Sequence, residues 1–159
     1  MGKSSDKTNV MRILDQKKIR YISHNYLDTG AVSGLEVAEA LGEDPDAVFK
    51  TLVTVGKSKA NYVFVIPVNR ELDLKKAARS VGEKSIEMIK SKELLPLTGY
   101  IHGGCSPIGM KKQFVTTIDK TAENFDRIIF SGGKIGYQVE MSLEDLKKVI
   151  RFQLDDVAE

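Results

Sequence analysis

The chain has 159 residues, of which 42% are apolar and 29% charged, and its net charge is +2. That length suits one domain with a sizeable core, and so small a charge excess does not mark a nucleic-acid binder. No apolar run approaches the roughly 18–20 residues that span a bilayer, the N-terminus lacks a signal peptide's apolar core, and a lone cysteine excludes an internal disulfide framework, so a cytoplasmic protein without membrane contact is expected.

Residues 1–7 are polar and are expected to be disordered, with one domain over 8–159. From Thr8, apolar Val10, Ile13, Leu14 and Ile19 predict a helix, and Tyr21 to Tyr26 a short strand. Ser33 and Glu36 have capping-box spacing, and the helix they open runs through Leu35, Val37, Ala38 and Leu41 to Gly42. Val48–Val55 and Tyr62–Val68 are rich in β-branched and aromatic residues around a short polar stretch, which predicts a hairpin. Leu74–Val81 reads as a helix stopped by Gly82, followed by a second helical piece at either Ser85–Lys90 or Ser91–Leu95. Phe114–Ile118, Arg127–Ser131 and Ile135–Met141 are predicted strands, the last two joined across Gly132-Gly133. Ser142 caps a final helix through about Phe152, with Asp145 at its third position. Hairpin-paired strands mixed with helices, without repeats or linkers, predict a single α+β domain.

Gly103-Gly104-Cys105-Ser106-Pro107-Ile108-Gly109 is the densest functional signal. Gly104-x-x-x-x-Gly109 approaches a phosphate-binding P-loop, but Met110 stands where the phosphate lysine belongs and no Ser or Thr follows for magnesium. Gly132-Gly133-Lys134-Ile135-Gly136 lies between two strands, where the dinucleotide motif would open a helix. A nucleophilic Cys105 or Ser106 would need a base and a group to orient that base. Of the two histidines, His24 and His102, the nearer lies in the same turn, with no identifiable orienting carboxylate. His102-x-x-Cys105 lacks the further ligands of a zinc site, so no metal or other cofactor is expected. Cys105 reads as a small half-buried hydrophobe. What remains for the turn is either backbone amides offered to an oxyanion or a strained connection that needs positive φ. Lys50 shares a strand face with Val48 and Leu52, as an edge guard, a snorkelling side chain, or an ammonium presented to an anionic ligand. The basic pairs Lys17-Lys18, Lys75-Lys76, Lys111-Lys112 and Lys147-Lys148 are solvated surface unless the fold gathers them.

Phe49-Lys50-Thr51-Leu52, Leu72-Asp73-Leu74-Lys75-Lys76, the turn Gly103–Gly109 and Ser131-Gly132-Gly133-Lys134-x-Gly136 form a series. In order and spacing it resembles the YbaK-type Cys-tRNA(Pro) deacylases, free-standing relatives of the editing domain inserted in bacterial prolyl-tRNA synthetases. The resemblance runs from about Val10 to Phe152. It implies a mixed, mostly antiparallel, barrel-like sheet surrounded by helices, and clearance of mischarged Cys-tRNA(Pro) without a metal. It places the catalytic residues at Lys50, Gly103 and Gly104, and substrate-binding residues at Tyr26, Ser106, Gly109, Ser131, Gly132 and Gly133. It implies mischarged tRNA as substrate and prolyl-tRNA synthetase as partner in a ternary complex. Some deacylases carry an acidic residue where this chain has Gln138, which bears on fine specificity. The alternative is a non-catalytic module that binds tRNA or a synthetase on the same scaffold.

Overall fold

A computed structural model describes residues 7–159. The expectation for residues 1–6 lies outside the described residues; Lys7 pairs with Asp15. Helix α1, Asn9–Gln16, starts where the Thr8 side chain accepts the Met11 N–H, and it buries Val10, Met11 and Leu14. Strand β1 is Ile22–Asn25, and a 3₁₀ turn at Leu27–Thr29 leads to α2, Gly34–Leu41. Both halves of the predicted capping box form at Ser33 and Glu36, and Gly42 closes the helix in the left-handed region. β2, Phe49–Gly56, and β3, Asn61–Pro67, make the predicted hairpin, with Lys50 opposite Ile66. Asp73 caps α3, Leu74–Val81, by accepting from the Lys75 and Lys76 amides.

The sequence and the fold part in two places. Residues Ile86–Met88, one of the two helical alternatives, form strand β4 against β2. The edge of β2 supplies hydrogen-bond partners that local periodicity does not reveal, and Ile86 goes into the core. The other alternative holds and extends, as α4 runs Ser91–Thr98. Strands β5, Val115–Asp119, β6, Ile128–Ser131, and β7, Tyr137–Met141, follow as predicted, β5 shifted by one residue and the other two shortened at their starts. Helix α5 is only Leu143–Leu146, capped by Ser142 through the Asp145 N–H. Its continuation tightens into turns, with Lys148 N–H donating to Asp145 O and Val149 N–H to Leu146 O. The predicted helix is thereby cut short, and Gln153–Asp155 becomes strand β8, parallel to β5. Buried Asp119 secures the segment after β8, its Oδ1 accepting the Val157 and Ala158 amides at 3.0 and 3.1 Å.

The strands form two sheets, β1-β7-β6 and β4-β2-β3-β5-β8. Pairing is antiparallel except for β3 with β5 and β5 with β8. The result is the mixed α+β domain expected, with two sheets in place of a closed barrel. The sheets meet at a parallel bridge between Val48 and Ile129. Two residues beyond that bridge stand Lys50 on one chain segment and Ser131 on the other. The main core lies between the sheets and α1, built on Val10, Leu14, Val63, Ile108, Ile118 and Phe130. Each such large side chain supplies ~1.5–3 kcal/mol by leaving water, which keeps the junction rigid. No helix among the described residues is long and apolar enough to cross a membrane.

Candidate active site

A cleft of about 620 Å³ opens where the two sheets meet. One wall is Val48 with the start of β2 as far as Val53, and the others are the start of α2, the segment from Met88 to Leu94, the turn at His102–Cys105, and β6 with β7. Four of the residues predicted for the site line it: Tyr26, Lys50, Gly103 and Ser131. Lys50 is 30% exposed, and its Nζ stands 3.7 Å from Oε2 of the exposed Glu71. Its neighbour Thr51 also faces the cleft, with a buried Oγ1 that has no hydrogen-bond partner. Tyr26 is held by its own backbone, its N–H donating to Gly136 O at 2.9 Å and its carbonyl accepting from Thr29 Oγ1 at 2.7 Å.

The other five predicted residues, Gly104, Ser106, Gly109, Gly132 and Gly133, lie behind the lining and shape the two loops. A Cβ on Gly104 would sit 3.2 Å from the Ile135 nitrogen, so the loops meet backbone to backbone. Gly133, at φ +93°, leaves no room either, since a Cβ would come within 2.7 Å of Val10 Cγ2 and 3.3 Å of the Tyr100 ring. At Gly109 a Cβ would be 2.8 Å from the Tyr100 hydroxyl. Tyr100 thus packs against both loops, and its hydroxyl donates to Ile108 O. Nothing in the sequence pattern singles out this tyrosine, because its role depends on loops about 30 residues apart. Ser106 is fully buried and its Oγ accepts the Ile108 N–H, while Ser131 Oγ accepts the Gly133 N–H at 3.1 Å. Both hydroxyls therefore hold their own loops.

Cys105 and His102 both reach the cleft. Cys105 is half-buried against the core, and burial pushes its thiol up to about 12. A thiol held that far above neutrality is not a nucleophile. Gly104 N–H is already given to Ile101 O at 3.0 Å, so the amides the turn can offer to a bound carbonyl are those of its cleft-lining neighbours Gly103 and Cys105. The cleft therefore combines the ammonium groups of Lys50 and Lys90, backbone amides and unpartnered polar atoms, and among the described residues no side-chain nucleophile is paired there with a base. Such a set suits the binding and polarisation of an ester whose nucleophile comes from elsewhere.

Residues 30–149 match the aminoacyl-tRNA editing domain family. Over 156 residues the chain is 44% identical to "Putative Cys-tRNA(Pro)/Cys-tRNA(Cys) deacylase EbsC" of Enterococcus faecalis, covering 98% of this chain and 95% of that protein. It is 32% identical over 102 residues to a proline–tRNA ligase of Shouchella clausii, matching 64% of this chain but 18% of the ligase. Its fold superposes with a TM-score of 0.80 on the crystal structure of "a putative trans-editing enzyme for prolyl tRNA synthetase", at 23% identity and covering 96% and 98% of the two chains. From the family match, the full-length relative and the shared fold, this chain belongs to the aminoacyl-tRNA editing domain family.

Proposed function

We propose that residues 8–159 act as one editing domain, a deacylase that clears Cys-tRNA(Pro) in trans. The observation that carries this reading is the 44% identity over 98% of the chain to a protein named as a deacylase of Cys-tRNA(Pro) and Cys-tRNA(Cys). The need for such an enzyme is energetic. A pocket separates amino acids that differ by one small apolar increment by only ~1–3 kcal/mol, so cysteine enters a prolyl pocket and a second site must remove it.

In the proposed reaction, the ester sits across the cleft with Lys50 on the phosphate or ribose of the terminal adenosine. The loop amides at Gly103 and Cys105 face the carbonyl oxygen, and Tyr26 and Ser131 close the opposite side. Gly104, Ser106, Gly109, Gly132 and Gly133 give the loops the approach this requires. The substrate thiol attacks its own ester carbonyl. A C–S bond forms, the C–O bond to the ribose breaks, and the thiol's proton passes to the departing ribose oxygen. Water then opens the cyclic thioester to free cysteine. An intramolecular attack that is well aligned gains ~7–11 kcal/mol from proximity, which offsets the absent side-chain nucleophile.

Prolyl-tRNA synthetase is the proposed partner, holding the tRNA while the ester moves to this cleft. The decisive experiment is a deacylation assay on Cys-, Ala- and Pro-tRNA(Pro) with Cys-tRNA(Cys). Release of cysteine with slow or no release of alanine supports the reading. Release from none of them would leave a non-catalytic tRNA- or synthetase-binding module.

A further inference from the structure

Behind the cleft wall lies a carboxyl group that this reaction does not use. Glu43 follows Gly42, whose left-handed backbone (φ 69°) ends α2, and its N–H returns to Ala38 O at 2.8 Å. That turn sends the side chain inward, to 6% exposure. Neither carboxyl oxygen of Glu43 has a hydrogen-bond partner. Burial pushes its pKa up, the adjacent Gln138 carboxamide and His24 pull it back, and the Glu140 carboxylate adds a smaller push upward. The neighbouring basic side chains are already engaged by another acid. His24 Nε2 lies 2.7 Å from Glu140 Oε1, and Arg127 Nε lies 3.2 Å from Glu140 Oε2. His24 Nδ1 stays 4.0 Å from Glu43 Oε2. A buried carboxyl with no hydrogen bond of its own and only His24 at 4.0 Å weakens the fold, so its presence points to a role other than packing.

Gln138 connects this group to the cleft. It lies in register with His24 on one side and Ser131 on the other, is 5% exposed, and lines the cleft. Its Oε1 is buried and unpartnered. Two acceptor groups therefore stand one behind the other at this wall, and what they lack is a cationic donor arriving from the cleft. An aminoacyl ester brings one, since its α-ammonium is attached to the carbon next to the reacting carbonyl.

Resting on the deacylase reading above, we infer that Glu43 is a positioning residue which, through Gln138, makes this wall the acceptor for the α-ammonium group of the aminoacyl ester. In that arrangement Gln138 Nε2–H donates to the Glu43 carboxylate and Oε1 turns to accept from the ammonium. The terminal torsion of glutamine is broad, so the turn is cheap. The incoming charge favours ionised Glu43, which couples substrate binding to ionisation. With the amine held, the Cα substituents are fixed and the thiol faces the ester.

The test is steady-state deacylation of Cys-tRNA(Pro) and of its desamino analogue, 3-mercaptopropionyl-tRNA(Pro), which keeps the reacting thiol. Wild type, Glu43→Gln, Glu43→Asp and Gln138→Met are compared, with thermal melts of each. Glu43→Gln is expected to raise KM for the cysteinyl ester by about tenfold or more, the scale of one charge-assisted hydrogen bond. Glu43→Asp should recover part of that loss. On the desamino analogue, wild type and Glu43→Gln should differ by less than about twofold, since the interaction probed is missing. A carboxyl whose pKa is raised by folding costs stability as pH rises through that pKa, so Glu43→Gln should melt at or above wild type at neutral pH. Equal losses on both substrates, or no loss on the cysteinyl ester, would overturn the inference. Should Glu43→Gln not fold, Gln138→Met decides by the same criterion. Wild type that releases neither acyl group would instead refute the deacylase reading, and this inference with it.

Discussion

Lys50 stands two residues past the Val48–Ile129 bridge, and its ammonium pairs with the carboxylate of the exposed Glu71. An exposed ion pair of this kind contributes ~0–1 kcal/mol, so Lys50→Ala should fold and melt close to wild type. Its deacylation of Cys-tRNA(Pro) should fall by roughly 100-fold, the scale of a lost positioning contact. A folded variant with near-normal turnover would remove Lys50 from the site. The alternation Val48, Lys50, Leu52 was enough to place this lysine on a strand. Whether it guarded an edge or faced a cleft was undecidable locally, because β6 lies about 80 residues away in the chain. Glu43 and Thr51 carry no local signature at all. Their significance is that their polar atoms are buried without a hydrogen-bond partner, which only the folded chain reveals.

At the scale of elements, helix starts and hairpins were readable because their signals are local, as at Ser33–Glu36, Ser142, and the β-branched and aromatic runs of β2 and β3. β4 and β8 were not, since both are three-residue strands defined by the edge they join. The glycine loops belong to this scale as well. Gly133 has φ +93° and no space for a Cβ beside Val10. Gly133→Ala combines left-handed strain with a clash in the main core, and should cost at least about 2 kcal/mol. A drop in Tm of ~4–8 °C is the corresponding reading for a chain of this size. Activity should fall with it at temperatures where the variant remains folded, because the second loop supports the first through Gly104 and Ile135. A Gly133→Ala protein that melts with wild type would show that the loops can separate at little cost.

Taken whole, the molecule carries 24 basic and 22 acidic side chains. Phosphate neutralisation dominates nucleic-acid affinity, and so little excess charge supports few such contacts. Free tRNA(Pro) should therefore bind weakly, and filter or fluorescence titrations should show that weak affinity falling further between about 50 and 200 mM salt, with the small slope that few phosphate contacts give. Added prolyl-tRNA synthetase should restore binding. Tight binding to tRNA alone that withstands moderate salt would contradict this division of labour. The cleft itself is a property of the whole molecule, since β2, α2, two loops and the β6–β7 pair all contribute walls. Three motifs of the ordered series, those around Lys50, Gly103 and Ser131, contribute to its lining, whereas Leu72–Lys76 does not, and the walls from α2 and Met88–Leu94 were not in the series. The series could not say which residues would line the space and which, like Ser106 and Gly109, would hold the loops from behind.

The thiol of Cys105 has a consequence for how long such a catalyst survives. The proposed reaction releases a strained thioester, an acylating agent, beside a cysteine in the same cleft. With burial holding the thiol far above its ordinary range, up to about 12, the thiolate is scarce at neutral pH. Transacylation needs that thiolate, so the enzyme is spared covalent capture by its own product. Iodoacetamide should accordingly label Cys105 far more slowly in the native protein than after denaturation, as mass spectrometry of the intact chain would show. Rapid native labelling would mean that the wall is open to self-inactivation. The burial that removes Cys105 from catalysis is then also what lets the site handle other thiols turnover after turnover.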